Sequence, residues 1–444
     1  MLWQFLAKSL ISRPHPRLLS EYRIFPEFIS SLSSDIYEYA LQGTQYLPQK
    51  DLKKIQRKRL IRLIKRARSC IPFYAEYFKN LKLIEVFSHL PLITKKEMRN
   101  AFNSRMCLDQ NLKVFGIPQF TSGSTGIPFQ FFMDTNMLAR RVAIYRRMLS
   151  WCGKKNTDIV ILLMPKMHPG LENEVTFFQC ADPEEVEKKL ISLYALFENR
   201  SIILQSRTSH LVCLAKFLER DKKKFNFKAL ISYTEMLLPE TRTYLERIFG
   251  APIFNYYACN EIAAIAQECE FHDGLHVNSE WVFVEIVDEA NNPLPPGKIG
   301  YILVTSFDNE VMPFIKYKLG DKGYWLPDAC RCGRTLPRIR VEGREDNSFI
   351  LLSGKIGYLA TLMWPLVQRV DKILQYQVIR RSINDFVVRI KPASEFNNED
   401  HKIILKRFQE YLGPKVKISI KFVKKIETAP SGKELAFINL APNE

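Results

Sequence analysis

Short apolar runs alternate with charged amphipathic stretches between about residues 90 and 260, and this alternation constrains the fold more than any other feature. The apolar runs are 159–164, 201–204, 229–233 and 252–257. The charged stretches between them, which have the length of surface helices, are 184–198, 209–223 and 239–249. Buried strands alternating with amphipathic helices predict an α/β fold with a mixed, largely parallel sheet covered by helices.

Polar side chains follow two of these runs. Tyr233-Thr234-Glu235 ends one run, and Asn260-Glu261 comes just after another. In open α/β sheets, ligands bind beyond the carboxyl ends of the strands. We therefore expect the chemistry of this chain near these residues.

A stretch of small hydroxyl residues and glycine precedes the alternating region. It consists of Thr121, Ser122, Gly123, Ser124, Thr125 and Gly126. Glycine lets the backbone approach an anion, and hydroxyl groups add donors to the backbone N–H groups. The alternative is a flexible linker, but the apolar flanks 114–115 and 129–132 predict a hairpin around the loop. We interpret the loop as a triphosphate cradle, distinct from the Gly-Lys-Ser/Thr type of phosphate loop.

The remainder of the chain divides into further units. Apolar strands at 281–287 and 300–305 flank a proline-rich turn at 292–297. In the last hundred residues, strands at 374–379, 385–390 and 416–423 alternate with helices at 360–370 and 398–412, which predicts a compact α+β module. We expect a helical N-terminal extension (1–80) packed on a large domain (81–343), followed by a small mobile domain (344–444).

The net charge and the cysteines indicate which kinds of partner and which cellular compartment to expect. The net charge of +18 favours an anionic partner, which could be a polyanionic substrate, nucleic acid or a lipid surface. Nine scattered cysteines, an odd number without framework spacing, indicate reduced thiols in the cytoplasm. No apolar run reaches the roughly 18 residues that a membrane span needs.

The most basic segment, 52–68, has helical apolar spacing among its Lys and Arg side chains. One interpretation is a peripheral contact with the inner face of an anionic membrane. The other is a solvated face over a protein core. Nucleic-acid binding is disfavoured because no aromatic residues are interleaved with the charges.

Five motifs in a fixed order resemble the adenylate-forming superfamily, which includes the acyl-CoA synthetases. They are the loop 121–126, Tyr257-Ala258-Cys259-Asn260-Glu261, Tyr317-Lys318-Leu319-Gly320-Asp321, Gly343-Arg344-Glu345-Asp346 and Pro430-Ser431-Gly432-Lys433. Leu90-Pro91-Leu92-Ile93-Thr94-Lys95 and Cys330-Arg331-Cys332-Gly333-Arg334-Thr335 are similar to the phenylacetate-CoA ligase branch, which contains CapK-type proteins of capsular polysaccharide biosynthesis.

This resemblance implies ATP-dependent formation of an acyl-adenylate, an in-line displacement that relies on positioning and charge stabilisation. It assigns the 121–126 loop to the β- and γ-phosphates and Glu261 to Mg²⁺. The nucleoside contacts that it implies are Asp321 on the ribose hydroxyls, Tyr257 and Glu235 at the adenine, and Arg344 on the ribose or phosphate.

Two residues near the C-terminus receive roles from the same resemblance. Lys433 would bridge the attacking carboxylate and the α-phosphate and so reduce the repulsion between two anions. Asp346 would be the hinge about which the small domain moves.

The chain departs from the family pattern at Ala258 and Asn260, where Gly and Thr are usual. Asn260 can still donate a hydrogen bond to a phosphate or adenylate oxygen, so we expect a modified activity and not a lost one.

A metal site is a further hypothesis. Cys330 and Cys332, with Cys269 and His276 (or His272) upstream, could form a tetrahedral zinc site, since Zn²⁺ takes sulfur and nitrogen ligands. The alternative is a set of buried reduced cysteines.

His168 belongs either to the acid-binding pocket or to a loop or core site.

The expected function is ATP-dependent activation of a carboxylic acid, followed by transfer of the acyl group to a thiol such as coenzyme A. The alternatives are transfer to an amine in polysaccharide precursor synthesis, and a non-catalytic membrane-docked protein of the same fold.

Overall fold

The computed structural model describes the helices and strands of most of the chain. The described residues are 26–79, 90–104, 106–113, 116–120, 129–164, 167–168, 171–180, 186, 188–189, 192, 200–221, 225–344, 348–353, 356–358, 362–363, 366, 372–426 and 437–441.

The described helices are α1 (Pro26–Thr44), α2 (Gln49–Cys70), α3 (Pro72–Tyr77), α4 (Lys95–Asn103), α5 (Thr135–Trp151), α6 (Thr208–Asp221), α7 (Pro239–Phe249) and α8 (Asn398–Leu412). The strands up to residue 277 are β1 (Ile117–Phe120), β2 (Gln130–Met133), β3 (Ile159–Met164), β4 (Thr176–Gln179), β5 (Ile202–Arg207), β6 (Phe227–Tyr233), β7 (Ile253–Cys259), β8 (Ala263–Glu268) and β9 (Leu275–Val277). The later strands are β10 (Val282–Val287), β11 (Gly300–Ser306), β12 (Tyr317–Trp325), β13 (Arg338–Arg344), β14 (Ser348–Ile350), β15 (Ile356–Tyr358), β16 (Ile373–Ser382), β17 (Asp385–Pro392), β18 (Lys417–Phe422) and β19 (Phe437–Asn439).

An 11-stranded mixed sheet forms the centre of the molecule, in the order β10-β11-β12-β13-β9-β8-β7-β6-β5-β3-β4. The strands from β4 to β7 pair in parallel, as the alternating pattern predicts. From β7 to β10 every pair is antiparallel. The predicted α/β class is confirmed, with the parallel pairing confined to one half of the sheet.

Successive side chains of the parallel strands enter two separate apolar cores. Ile203 and Ile231 belong to the core that contains residues of α2 and α5. Leu204 and Leu230, each one residue away from these, belong to the core that contains residues of α6 and α7. This alternation is the period of two that a strand buried on both faces requires.

Helix α7 occupies 239–249, as predicted, and its boundaries have local causes. Pro239 begins the helix, where its missing N–H costs nothing, and Gly250 ends it with a left-handed φ of 63°.

The β1–β2 hairpin also forms, but its first strand lies later than predicted. Ile117–Phe120 pairs with Gln130–Met133, whereas 114–115 and the loop 121–128 lie outside the described residues.

The basic helix α2 packs its apolar face against the protein. Leu52, Leu60 and Leu63 are each at most 5% exposed. Arg59 forms a buried ion pair with Asp308. The apolar face of α2 is therefore buried against the protein, and a membrane contact through its basic side chains remains a prediction. Across the part of the chain that is described, no helix combines the length and apolar character of a membrane span.

A second, four-stranded sheet in the order β18-β17-β16-β19 forms a smaller α+β unit together with α8. Helix α8 spans the predicted 398–412, and its capping box joins Asn397 and Asp400. Arg344 still belongs to β13 of the large sheet. The large sheet therefore extends one residue beyond the boundary that we expected at 343.

Candidate active site

Three of the predicted nucleotide-binding residues come together at one edge of the large sheet. The Tyr257 hydroxyl donates a hydrogen bond of 2.6 Å to Asp321 Oδ2. Arg344 Nη1 lies 3.6 Å from Asp321 Oδ1. Asp321 and Arg344 are partners across β12 and β13. Burial, followed by the nearby Asp321 carboxylate, raises the pKa of Tyr257, which keeps its hydroxyl proton on the phenol for this hydrogen bond.

Gly320 permits the approach of Arg344 to Asp321. Its φ of +85° lies in the left-handed region, and a Cβ placed there would lie 3.2 Å from Arg344 Nη2. Glycine adopts this conformation without strain and leaves the guanidinium in place.

Glu261 lies in the turn between β7 and β8 and is 6% exposed. The Tyr317 hydroxyl donates a hydrogen bond of 3.2 Å to Glu261 Oε1. Lys95 Nζ lies 3.9 Å from the same oxygen. A carboxylate has about four acceptor positions, so these neighbours leave Glu261 able to bind a further cation.

Asn260 connects this turn to the end of β1. Its Nδ2 lies 3.5 Å from the carbonyl oxygen of Phe120, which is the last residue before the predicted phosphate loop. The phosphate-loop residues Thr121 to Gly126, the hinge residue Asp346 and Lys433 lie outside the described residues. Their assigned roles therefore remain predictions.

Lys95 is a candidate site residue that the motifs did not identify. Its segment is fixed to the strand that carries Tyr317, because Ile93 N donates to Lys316 O (3.0 Å) and Lys318 N donates to Ile93 O (2.8 Å). A capping box between Thr94 and Glu97 then begins α4 at Lys95. The motif 90–95 could have indicated Lys95, but the sequence alone does not show that this motif lies next to Glu261.

Strained backbone also surrounds this site. Five non-glycine residues have positive φ in the described part of the chain. Three of them, Thr234 (70°), Ala263 (70°) and Lys316 (50°), flank Glu235, Glu261 and Tyr317. Such conformations cost about 1–3 kcal/mol each and cluster at functional sites, where the surroundings hold them in place.

Glu235 contacts the start of helix α6. Its carboxylate accepts hydrogen bonds from the backbone N–H (2.7 Å) and the hydroxyl (3.0 Å) of Ser209, near the start of α6. A carboxylate at a helix N-terminus satisfies donors that lack helical partners and interacts favourably with the helix dipole. The predicted contact of Glu235 with an adenine remains a prediction.

Four predicted zinc ligands converge beside the sheet. Cys269, His276, Cys330 and Cys332 each place a ligand atom within 4.8 Å of the other three. Cys269 Sγ and Cys330 Sγ are 3.6 Å apart, and Cys332 Sγ is 3.5 Å from His276 Nε2. A tetrahedral zinc site separates two sulfurs by about 3.8 Å and a sulfur from a nitrogen by about 3.6 Å. The donor set therefore fits Zn²⁺ in both chemistry and spacing.

The electrostatics of His276 and Cys332 also suit a metal, whereas burial raises the pKa of the Cys269 thiol. Burial, the largest effect, lowers the pKa of His276 to about 4, so the imidazole is neutral near pH 7. Its Nδ1 lies 3.2 Å from the Leu336 carbonyl oxygen, which directs Nε2 toward Cys332. Burial opposes ionisation of Cys332, but hydrogen bonds from Arg334 outweigh it and lower the pKa of this thiol. The alternative ligand His272 instead lies 3.2 Å from Glu268.

Comparisons with known proteins show what this chain is similar to. A family profile described as the CapK C-terminal domain matches residues 354–439. The phenylacetate-coenzyme A ligase of Thermus thermophilus is 22% identical over 87% of this chain and 94% of the relative. Protein CapK of Staphylococcus aureus is 22% identical over 88% of this chain and 89% of the relative. A solved structure of 2-hydroxyisobutyryl-CoA ligase in the postadenylation state superposes with a TM-score of 0.75 and 18% identity, covering 89% of this chain and 90% of that one.

Proposed function

We propose, from the confirmed relation to phenylacetate-CoA ligases and CapK within the adenylate-forming superfamily, that this chain uses ATP to activate a carboxylic acid as an acyl-adenylate. It then transfers the acyl group to a thiol, coenzyme A in the simplest case. The observation that carries the proposal is the convergence of the motifs 257–261 and 317–321, in which the Tyr257 hydroxyl bonds to Asp321 and the Tyr317 hydroxyl bonds to Glu261.

The proposed reaction joins two anions. A carboxylate oxygen attacks the α-phosphorus of ATP, and the bond to the bridging oxygen breaks so that pyrophosphate leaves with the electron pair. A thiol then attacks the acyl carbonyl and releases AMP. Cationic groups lower the barrier because they offset the repulsion between the carboxylate and the phosphate. Lys95 and Arg344 supply two positive charges, one beside the carboxylate of Glu261 and one beside that of Asp321.

Each motif residue has a proposed role that suits its surroundings. Glu261 would hold Mg²⁺, a hard cation that prefers carboxylate and phosphate oxygen and supplies further neutralisation of the phosphates. Asp321 keeps acceptor capacity for the two ribose hydroxyls beyond its bond from Tyr257. Asn260, beside the end of β1, would donate to a phosphate or adenylate oxygen. The loop 121–126, Asp346 and Lys433 keep the roles that the resemblance implies.

The test is an ATP–pyrophosphate exchange screen over aromatic acids, fatty acids, dicarboxylic acids and uronates. We expect exchange that depends on both Mg²⁺ and one class of acid. With that acid, coenzyme A should accelerate AMP release. Acceleration by an amine alone would identify an amide-forming ligase, and a lack of exchange with every acid would contradict adenylate formation.

Lys95 provides a more specific prediction about the triphosphate. Replacing it with methionine should weaken ATP binding by about 10-fold, because a point charge beside the proposed phosphate site is lost. AMP, which lacks the β- and γ-phosphates, should bind within about twofold of its original affinity. Isothermal titration with each nucleotide measures both values. Lys96→Met is the matched control because Lys96 is the exposed neighbour. Equal losses for ATP and AMP would contradict a triphosphate contact.

We also propose that Cys269, His276, Cys330 and Cys332 hold a structural zinc ion. The cluster adjoins Trp151, whose ring lies 5.6 Å from that of His276. Trp151 Nε1 in turn donates to Gln45 Oε1, in the connection between α1 and α2. Zinc would therefore join the segment from β8 to β9 to the loop between β12 and β13, beside the connection between α1 and α2.

Removing this zinc should destabilise the protein. Cys332→Ser should abolish stoichiometric zinc and lower the free energy of unfolding by several kcal/mol, since structural zinc contributes directly to folding. Elemental analysis and denaturant unfolding measure the two effects. Cys213→Ser, at a similarly half-buried cysteine outside the cluster, is the control. Full stability together with an absence of zinc in the unaltered protein would contradict the assignment.

A further inference from the structure

The exposed side of helix α2 is a continuous basic surface. Positions 50, 54, 57, 61, 65 and 68 recur at intervals of three or four, so they lie along one side of the helix, and all except Ile61 are Lys or Arg. Asp51 is the only acidic residue of α2, and it is half-buried. The exposed basic residues on this side and at its edges are here called the basic face: Lys50, Lys53, Lys54, Arg57, Lys58 and Lys65.

The side chains of the basic face differ from the other basic side chains of α2 in their partners. Arg62 lies 3.5 Å from Glu310, and Arg66 lies 2.8 Å from Asp109. None of the six residues of the basic face forms an ion pair with another residue that the structure describes. Their charge is therefore not neutralised within the described part of the protein.

The opposite side of α2 holds the basic face in a fixed orientation. Arg59 forms a buried ion pair with Asp308, and Gln56 Nε2 donates a hydrogen bond of 3.0 Å to the carbonyl oxygen of Ser279. The apolar side chains of α2 pack against the protein core. A partner of the basic face is therefore bound by charge at the surface, without insertion of the helix.

The composition of the basic face favours a broad anionic surface over a single small anion. Five of its six residues are lysines, whose ammonium groups act as mobile point charges and lack the fork that recognises one phosphate. From Lys50 to Lys65 the helix rises about 22 Å, which spans several lipid headgroups. Clusters of about four to eight Lys and Arg on one helix attract anionic lipids.

The surroundings of the basic face also distinguish lipid from nucleic acid. Single-stranded nucleic acids stack their bases on aromatic side chains, and the apolar residue within the basic stripe is the aliphatic Ile61. Tyr46, which lies in the connection that leads into α2, is 51% exposed. Tyrosine is enriched at the headgroup level of membranes, where its ring and its hydroxyl are both accommodated.

We propose that the basic face binds the surface of a membrane that contains anionic lipids and so makes the protein peripheral to that membrane. The attraction is electrostatic and falls off within about 10 Å at ordinary ionic strength, so it requires the lysines to lie directly against the headgroups. This inference does not depend on the proposed activation of a carboxylic acid.

The test is co-sedimentation of the full chain with vesicles of phosphatidylcholine that contain roughly 30% phosphatidylserine, compared with vesicles of phosphatidylcholine alone. We expect at least about 10-fold stronger binding to the anionic vesicles, and loss of this preference when salt is raised from about 0.1 M to about 0.5 M. A variant with four lysines of the basic face changed should bind at least about 30-fold more weakly: Lys50→Gln, Lys53→Gln, Lys54→Gln and Lys58→Gln.

The matched control removes the same charge from four exposed lysines of the smaller α+β unit: Lys402→Gln, Lys406→Gln, Lys415→Gln and Lys421→Gln. It should bind within about threefold of the original protein. An equal loss in both variants would contradict the proposal, because net charge and not the basic face would then determine binding. Equal binding to both kinds of vesicle would also contradict it, as would binding to a DNA duplex without binding to vesicles. The lipid and salt comparisons use the unaltered protein, so they test the proposal even if a variant does not fold.

Discussion

Replacing Glu261 with glutamine is expected to reduce acid-dependent pyrophosphate exchange by about 100- to 1,000-fold, the usual effect of removing one charge contact from a transition state. The substitution keeps the shape of the side chain and an acceptor for the Tyr317 hydroxyl, which lies 3.2 Å away. It removes the negative charge that would hold Mg²⁺. Exchange rates measured at saturating ATP over a range of Mg²⁺ concentrations test this role.

The control for this substitution is Glu289→Gln, at an exposed turn distant in sequence from the motifs. We expect it to leave exchange unchanged. A Glu261→Gln protein that folds and exchanges within about threefold of the original rate would contradict the assignment of Glu261 to the metal and phosphate.

Replacing Lys433 with alanine is expected to reduce adenylation by at least about 100-fold. The resemblance implies that its ammonium group bridges the attacking carboxylate and the α-phosphate, a contact made chiefly while the two anions approach each other. Single-turnover measurement of pyrophosphate release, started by mixing protein and acid with ATP, isolates this step. The second half-reaction, from preformed acyl-adenylate to thioester, should be affected much less.

Lys424→Ala, at an exposed lysine of the same C-terminal region, is the matched control and should leave both half-reactions intact. If Lys433→Ala retained adenylation but lost thioester formation, the assigned role would be wrong. The two half-reactions thus distinguish a catalytic lysine from a surface lysine and from one that acts only in transfer.

Much of the fold could be predicted because local pattern and tertiary structure agree. Helices at 239–249 and 398–412 were predicted at their observed boundaries, since a proline, a left-handed glycine and a capping box define the ends locally. The position of β1 was not predicted. Its four residues pair with β2 across a loop, and register across a loop is set by tertiary packing that the sequence does not display.

The contacts within the candidate site could not be predicted from the sequence. The order of the motifs predicted that Tyr257 and Asp321 belong to one site. It did not predict the hydrogen bond between them, which joins residues 64 positions apart. The position of Lys95 beside Glu261 was not predicted because it depends on the pairing of Ile93 with β12. The hydrogen bond from Ser209 to the Glu235 carboxylate was not predicted either, because it depends on where β5 and β6 end.

The most direct measurement of the central claim is mass spectrometry of a single turnover in which protein, ATP, Mg²⁺ and the preferred acid are mixed without any thiol or amine. We predict about one equivalent of acyl-adenylate per chain, formed together with pyrophosphate. The adenylate should disappear and AMP should appear when coenzyme A is added. Formation of ADP and phosphate, or of no adenylate with any acid, would contradict the account.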